Sequence, residues 1–125
     1  MEQRNQMTIL TIDDSPSIRQ MLIFVLESNG FRVLQAVDGV DGLEVAKANK
    51  IDLVLTDHNM PRMDGITLIR ELRSLPEYSE TPIVMLTTES SFAMKQLGKE
   101  VGATGWMVKP FDPERLIEML HKILD

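Results

Sequence analysis

Short, almost wholly apolar runs alternate along this chain with longer segments in which apolar residues recur every three or four positions. Strand patterns that alternate with helical patterns are typical of βαβ units, in which helices cover both faces of a parallel sheet. We therefore predict an α/β fold, a doubly wound five-stranded parallel sheet with five helices. The predicted strands span residues 8–12, 32–36, 53–56, 83–86 and 105–108.

Capping residues mark where predicted helices begin. Ser15 and Asp112 each stand directly before a proline, an order typical of an N-cap and the first helical position. Counting their caps, the predicted helices span about residues 15–29, 38–49, 65–75, 91–101 and 112–125. The spacing predicts a buried stripe of Ile18, Met21, Leu22, Val25 and Leu26 in the first helix and a thin one of Met94, Leu97 and Val101 in the fourth.

The length and composition fit one compact domain. At 125 residues the chain can bury roughly two-thirds of its unfolded surface around a single core. We expect residues 7–125 to form that domain and residues 1–6 to form a short flexible tail. No apolar run approaches the roughly 20 residues that cross a bilayer, and the N-terminal residues lack the apolar stretch of a signal peptide.

The net charge and the cysteine content limit the classes of binding partner and the cellular compartment that we expect for this protein. A formal net charge of −6 argues against a general affinity for nucleic acid. The chain has no cysteine, so it has no disulfide and no thiolate metal site, which suits a reducing cytoplasm. We therefore expect a cytoplasmic monomer that binds other proteins and binds neither nucleic acid nor membranes.

Four of the five predicted strands end in a residue type used in phosphoryl chemistry. Asp13 and Asp14 follow the first strand, Asp57 the third, Thr87 the fourth and Lys109 the fifth. In the flavodoxin-like strand order 2-1-3-4-5, which we predict here, ligands bind at the carboxyl ends of the strands and strands one and three are neighbours. Each residue type alone is common at a strand exit, as a helix cap or in a turn. Their coincidence predicts one site at this edge of the sheet.

Three carboxylates in one crevice require a proton or a cation, because two of them repel by roughly 4 kcal/mol at about 4 Å and an effective dielectric constant of about 20. Mg²⁺ fits best, since it takes one or two carboxylates and accepts phosphate oxygens as further ligands. Beside such an ion, Asp57 can attack phosphorus as a covalent nucleophile. Lys109 then offers a positive charge to one phosphoryl oxygen, and the Thr87 hydroxyl donates to another.

These residues, together with the run from Met60 to Gly65 and with Lys109-Pro110-Phe111, resemble the receiver domains of response regulators over nearly the whole chain. Within that family the chain is most similar to free-standing regulators of chemotaxis. The resemblance implies that Asp57 is phosphorylated by a histidine kinase of the chemotaxis type. It also implies a target, the flagellar motor switch protein, and leaves room for a phosphatase.

The resemblance further implies how the metal is held. Asp14 and Asp57 would ligate Mg²⁺ directly, Asp13 would act through water, and the backbone carbonyl of Asn59 would be a further ligand. The Lys109-Pro110 peptide is expected to be cis, which is inexpensive only before proline.

Three further polar residues lie near the predicted site in the sequence. Asn59 and Glu89 lie two residues beyond Asp57 and Thr87, where their side chains would steer the water that attacks in dephosphorylation, or would simply be solvated. His58 follows the acceptor directly, but strand alternation points it away from Asp57, so we expect a spectator.

Signal output is expected to pass through Thr87 and an aromatic residue on the fifth strand, toward a surface of helix four, strand five and helix five. In this chain the aromatic is Trp106, where the family usually has Tyr or Phe. Indole is larger and donates only through its ring N–H, so we expect it to be blocked from turning fully inward, which leaves the coupling from Thr87 to this surface open. On its own pattern, Trp106 either fills the core or is a partly exposed aromatic at a protein interface.

Three other functions are compatible with part of this pattern. A stand-alone receiver can also serve as a phosphate sink or relay. A hydrolase of the haloacid dehalogenase type uses an Asp nucleophile and Mg²⁺, but it needs a second Asp where this chain has Asn59. A flavodoxin-like ligand binder would carry a phosphate-cradling loop where Asp13 and Asp14 would repel the ligand. We therefore expect a signalling module with self-catalysed phosphorylation and dephosphorylation, not an enzyme with a separate substrate.

Overall fold

The computed structural model describes residues 6–125; residues 1–5, and with them most of the predicted tail, lie outside the described residues. Within the described part, five strands and five α-helices alternate as predicted, and a short 3-10 helix lies between the third helix and the fourth strand. The elements are β1 (Thr8–Ile12), α1 (Pro16–Ser28), β2 (Arg32–Ala36), α2 (Gly39–Ala48), β3 (Leu53–Thr56), α3 (Gly65–Arg73), the 3-10 helix (Pro76–Tyr78), β4 (Ile83–Thr87), α4 (Phe92–Val101), β5 (Gly105–Val108) and α5 (Pro113–Leu124).

The five strands form one parallel sheet in the order β2-β1-β3-β4-β5, which confirms the predicted topology. β1, β3 and β4 are buried along their whole length, because other strands flank them and helices cover both faces. Ile12 at the end of β1 lies opposite Thr56 at the end of β3. The residues that follow these two strands therefore emerge side by side.

The sheet divides the hydrophobic core into two layers. α1 and α5 cover one face with their buried leucines, Leu22, Leu26, Leu116 and Leu120. α2, α3 and α4 cover the other face, where α3 contributes Ile66, Leu68, Ile69 and Leu72. On α4 the side chains that pack against this layer are half-buried, in agreement with its thin predicted stripe: Met94, Leu97 and Val101.

The prediction that Met21 is buried was wrong. Its side chain is 47% exposed, whereas Leu22 and Leu26 are 2% and 0% exposed. Leu22 and Leu26 are four residues apart and share the line of α1 that faces the sheet, while a residue one step away is rotated by about 100°. Met21 therefore lies beside the buried stripe.

The predicted boundaries hold to within two residues. β4 extends one residue further than predicted, to Thr87. α3 ends at Arg73, two residues early, because Leu75 precedes a proline and is extended (φ −91°, ψ 127°). Each α-helix begins after a side chain that accepts a backbone N–H bond: Ser15, Asp38, Asp64, Ser91 and Asp112.

At the edge of the sheet where the strands begin, the guanidinium of Arg73 connects the end of α3 with the 3-10 helix, the chain before β4 and the end of α4. Its Nη1 donates to the carbonyls of Tyr78 and Thr81, both at 2.7 Å, and its Nη2 donates to that of Gly102 at 2.8 Å. Gly102 ends α4 in the left-handed region (φ 108°). Burial lowers the pKa of Arg73, but a guanidinium titrates so far above neutrality that it stays charged. Arg73 therefore fastens the ends of α3 and α4 to the chain that enters β4.

Among the described residues, no helix combines the length and the apolar character needed to cross a membrane.

The buried hydroxyl of Tyr78 gives a test of this edge. Tyr78 is 3% exposed, and its Oη donates to the carbonyls of Ala46 and Asn49, the latter at 2.6 Å. We expect Tyr78→Phe to lower the free energy of unfolding at neutral pH by about 1–2 kcal/mol, because those carbonyls lose their donor. Burial raises the pKa of the Tyr78 hydroxyl above its ordinary 10.0, so the unfolded chain loses this proton first and the wild-type advantage declines as pH rises through and beyond that value.

Urea unfolding of both proteins, at neutral pH and above pH 10, measures these differences. Equal stability at neutral pH, or a wild-type advantage that grows with pH, would contradict the expectation.

Candidate functional site

The ends of β1 and β3 bring three carboxylates together. Asp13 and Asp14 follow β1, Asp57 follows β3, and the Asp57 N–H donates to the carbonyl of Ile12 at 2.9 Å. One carboxylate oxygen from each of the three residues lies within 4.8 Å of the other two. Asp13 and Asp57 are buried, whereas Asp14 is exposed. The structure thus groups the three predicted carboxylates at the carboxyl edge of the sheet.

Lys109 bridges the two buried carboxylates. Its Nζ lies 2.6 Å from Oδ2 of Asp13 and 3.2 Å from Oδ2 of Asp57. Burial alone would lower the pKa of Lys109, but the hydrogen bond to Asp13 and the negative charges of both carboxylates outweigh it and raise the pKa. Its backbone N–H donates to the carbonyl of Thr87 at 2.9 Å, and the Lys109-Pro110 peptide is cis. A protonated lysine therefore lies in the carboxylate cluster at neutral pH.

Main-chain donors fix the rotation of both buried carboxylates. Oδ1 of Asp13 accepts the Ser15 N–H at 2.9 Å, and Oδ1 of Asp57 accepts the His58 N–H at 2.6 Å. The other oxygen of each carboxylate is the one that contacts Lys109. Each residue thus has one oxygen held by the local backbone and one directed into the site.

The cluster offers ligands for a hard divalent cation. Its three members supply carboxylate oxygens, the ligand type that Mg²⁺ prefers in proteins. Asn59, the source of the expected carbonyl ligand, is exposed in the loop that joins β3 to α3, two residues beyond Asp57. The three carboxylates therefore fit Mg²⁺. The backbone carbonyl of Asn59 is only two residues away from Asp57 in the sequence.

Thr87 lies at the end of β4 with its side chain fully buried. Its Oγ1 accepts the N–H of Glu89 at 3.3 Å. As the acceptor in this bond, the hydroxyl keeps its own hydrogen for donation to another oxygen. The residue is joined through its carbonyl to Lys109, so the two predicted phosphoryl-binding residues are direct neighbours at this edge.

Trp106 joins β5 to two neighbouring segments. It is half-buried, and its Nε1 donates to the carbonyl of Glu89 at 2.9 Å. The indole also packs on α4 at Gly98, where a Cβ atom would lie 2.6 Å from the indole Cζ3. The ring therefore packs against the core layer and keeps an exposed part, and its role at a protein interface stays a prediction.

The remaining predicted residues lie at the border of the site. Asn59 is exposed and Glu89 is half-buried. Nδ1 of His58 accepts the Ile66 N–H at 3.4 Å, so the imidazole is turned toward the start of α3, as expected for a residue that faces away from Asp57.

Sequence reasoning missed several residues that fix this edge. Arg62 forms an ion pair with Asp38, the first residue of the second predicted helix, and Arg19 donates to the backbone carbonyl of Asp13. Gly98 was not singled out, although its lack of a side chain admits the indole of Trp106. A long side chain on a loop or a helix face gives no sequence signal for its partner, because that partner belongs to another segment.

Comparison with known proteins agrees with this geometry. Residues 9–121 match the response regulator receiver domain. Chemotaxis protein CheY1 of Helicobacter pylori is 38% identical over 120 residues, which cover 94% of this chain and 97% of that protein. Protein PilH of Pseudomonas aeruginosa is 37% identical over 116 residues, which cover 93% of this chain and 96% of that protein.

Solved structures point the same way. The chemotaxis protein CheY4 of Vibrio cholerae superposes with a TM-score of 0.92 at 45% identity, over 95% of this chain and 99% of that chain. The family match, the strand order and the similarity over nearly full length lead to one conclusion: this chain belongs to the response regulator receiver-domain family of two-component signalling.

Proposed function

We propose that this chain is a phosphorylation-activated response regulator, which accepts a phosphoryl group on Asp57 from a histidine kinase and then binds a target protein. The observation that supports this most directly is the buried Asp57 carboxylate, which has one oxygen fixed by a backbone donor and the other beside a protonated lysine. Receiver domains are signalling modules, and this site has the groups that phosphoryl transfer to a carboxylate needs.

Mg²⁺ is the proposed cofactor. Asp14 and Asp57 would hold it directly with the backbone carbonyl of Asn59, and Asp13 would contact it through water. The proposal is supported by the all-oxygen donor set of the three carboxylates. When bound, the ion neutralises negative charge on the carboxylates and on the incoming phosphoryl oxygens.

In the proposed step, a carboxylate oxygen of Asp57 forms a bond to phosphorus while the bond from phosphorus to a kinase imidazole nitrogen breaks. The electron pair of the broken bond stays on that nitrogen. Lys109 shifts a hydrogen bond from the carboxylates to a phosphoryl oxygen, and the Thr87 hydroxyl donates to another. The phosphorylated state thereby gains contacts that the resting state lacks.

Output would begin where Thr87 meets the β4–α4 loop. Its hydroxyl contacts the Glu89 N–H, and the Glu89 carbonyl is the acceptor for Trp106. A Thr87 side chain that turns toward the phosphoryl group would disturb this loop and the indole that α4 rests on. Such a change needs to bias two conformers by only a few kcal/mol to alter binding at α4, β5 and α5.

We place this regulator in chemotaxis, as a cytoplasmic monomer whose kinase is of the chemotaxis type and whose target is the flagellar motor switch protein. Support comes from similarity to relatives named as chemotaxis proteins. The alternative within the family is a phosphate sink or relay without motor contact. Asn59 and Glu89 are proposed to tune dephosphorylation, with or without a phosphatase, and neither nucleic acid nor a membrane is a proposed partner.

Acyl phosphate formation is the first test. Incubation with a small phosphodonor and Mg²⁺ should add the mass of one phosphoryl group to the intact protein, and Asp57→Ala should abolish the gain. The adduct should be labile to hydroxylamine, as acyl phosphates are. Glu118→Gln, which removes an exposed carboxylate on α5, is the matched control and should behave as wild type.

No mass gain in the wild-type protein, or a gain that persists in Asp57→Ala, would overturn the proposal. Capture of the motor switch protein by the phosphorylated form but not by Asp57→Ala would support the chemotaxis role. Phosphorylation without such capture would favour the sink or relay.

Trp106 is the single tryptophan, so its emission reports on one position. Because its Nε1 is bonded to the loop that begins at Thr87, we expect the emission to change when phosphodonor is added in the presence of Mg²⁺. Asp57→Ala should lose the response to phosphodonor, and its response to Mg²⁺ alone should weaken as well, because Asp57 is also a proposed Mg²⁺ ligand. A spectrum that responds to neither addition would count against the switching role.

Lys109→Gln tests the electrostatic balance of the site. Without Mg²⁺ we expect the free energy of unfolding to fall by about 2 kcal/mol, because two buried carboxylates lose a charged hydrogen-bond donor. With saturating Mg²⁺ the loss should be smaller, since the ion supplies positive charge. Thermal and urea unfolding measure both values, with the exposed Lys122→Gln as control. A loss that is equal or larger with Mg²⁺ would contradict the assignment.

A further inference from the structure

The loop between β3 and α3 is fastened to α2 by an ion pair that the proposed chemistry does not use. Arg62 in the loop donates from Nε to Oδ2 of Asp38 at 2.7 Å, and from Nη2 to Oδ1 at 3.1 Å. Asp38 is the N-cap residue of α2. Two parallel N–H···O bonds to one carboxylate fix orientation as well as distance. The pair therefore holds the loop and α2 in one defined relation.

Backbone contacts close the loop on both sides. The Gly39 N–H donates to the carbonyl of Met63 at 3.2 Å, and a Cβ at Gly39 would lie 2.5 Å from that carbonyl oxygen. The Gly65 N–H donates to the carbonyl of His58 at 2.9 Å, and a Cβ at Gly65 would lie 2.5 Å from the Asp57 carbonyl oxygen. The loop thus lies directly against α2 and against the residues that follow β3.

The backbone at Arg62 is in an unfavourable conformation. Its φ of 66° is the one positive value among the non-glycine residues that the structure describes. The left-handed region disfavours residues with long side chains and is ordinarily used by Gly, Asn and Asp. The Arg62 side chain reaches Asp38 from this backbone conformation, so the contact and the loop conformation occur together.

The two partners differ in how firmly they are held. The Asp38 side chain is 5% exposed and also accepts the Asp41 N–H at 2.9 Å, whereas the Arg62 side chain is 58% exposed. The hydrogen bond from Arg62, followed by that from the Asp41 backbone, lowers the pKa of Asp38, so this carboxylate is ionised at neutral pH. An ion pair with so exposed an arginine adds little to global stability. Its main effect is on geometry, because the firmly held Asp38 side chain fixes the position of Arg62 and of the loop that carries it.

The same pair lies between two parts of the proposed metal site. Asn59, whose carbonyl is a proposed ligand, precedes Arg62 by three residues in the loop. Ala36, two residues before Asp38, accepts the backbone N–H of Asp13 at 3.2 Å. The segment that carries Arg62 therefore also carries Asn59, and the segment that carries Asp38 is hydrogen-bonded to the backbone of Asp13.

We propose that Arg62 and Asp38 are positioning residues for the Mg²⁺ site, which hold the Asn59 carbonyl in place relative to the three carboxylates. This inference rests on the proposed function, because it concerns the metal of that same site. Neither side chain is a proposed ligand, and both act through the loop. Loss of supporting contacts of this kind typically weakens a metal site by about tenfold or more.

Because Arg62 and Asp38 carry opposite charges, their substitutions can distinguish a positioning role from a direct electrostatic effect on Mg²⁺ binding. If only charge mattered, Arg62→Gln would remove a positive charge and tighten Mg²⁺ binding, whereas Asp38→Asn would remove a negative charge and weaken it. If the pair positions the loop, both substitutions weaken binding. Arg62→Lys keeps the charge but not the two-pronged geometry, so positioning predicts weaker binding there also. Asn remains a good N-cap, so Asp38→Asn preserves the start of α2.

Calorimetric titration of the unphosphorylated protein with MgCl₂ measures the effect, with Trp106 emission as a second signal. We expect each single variant to bind Mg²⁺ on the order of tenfold more weakly than wild type. The double variant Asp38→Asn with Arg62→Gln should be no weaker than either single variant, because both remove the same constraint. Arg115→Gln makes the same charge change on the exposed face of α5 and should retain wild-type affinity.

Hydrogen exchange in the metal-free protein provides a readout that does not involve Mg²⁺. The amides of Gly39 and Gly65 donate to the loop and to its entry, so they should exchange faster in the three single variants than in wild type. Arg62→Gln binding as tight as wild type or tighter, or unchanged exchange at both glycines, would overturn the positioning role. A wild-type protein that binds no Mg²⁺ would instead overturn the metal part of the proposed function.

Discussion

The functional edge of this protein depends on one lysine that reaches across the sheet. Lys109 follows β5, yet its ammonium contacts carboxylates that follow β1 and β3, with β4 in between. Two buried carboxylates on adjacent strands would otherwise repel each other across a poorly solvated gap. The lysine converts that repulsion into two charged hydrogen bonds. The site is therefore already balanced around a cation, and in the proposed reaction the phosphoryl group would compete with Asp13 for the same donor.

The charged contacts and the neutral contacts of this edge lie in different places. The ionised groups are gathered on the side of β1 and β3, whereas the path toward α4 consists of neutral contacts. Thr87 accepts a backbone N–H of Glu89, the Glu89 carbonyl accepts the indole N–H of Trp106, and the indole lies on Gly98. Neutral hydrogen bonds and close packing are short-ranged and sensitive to shape, so a shift of one of these groups would be felt by the next. The bulky indole at this position fits because α4 carries a glycine against it.

Much of this architecture could be predicted from the sequence because it depends on local patterns. Short apolar runs gave the strand limits nearly to the residue, and Ser or Asp before Pro marked helix starts. The parallel order then placed Asp13, Asp14 and Asp57 together without any knowledge of side-chain contacts. Met21 was misplaced because an apolar residue one step from a buried stripe looks much like a member of it.

What the sequence did not show are contacts between segments that only the fold brings together. Arg62 and Asp38 are 24 residues apart, and Arg73 and Gly102 are 29 apart. The Arg73 pair has a further consequence. Its acceptors are neutral carbonyls, so, unlike the carboxylate contacts of Lys109, they gain and lose no protons and attract few counterions. Acid or a bound cation will therefore change the charge at one edge of the sheet while the groups that fasten the other edge keep their charge state, which gives the changing edge a constant reference within the same small fold.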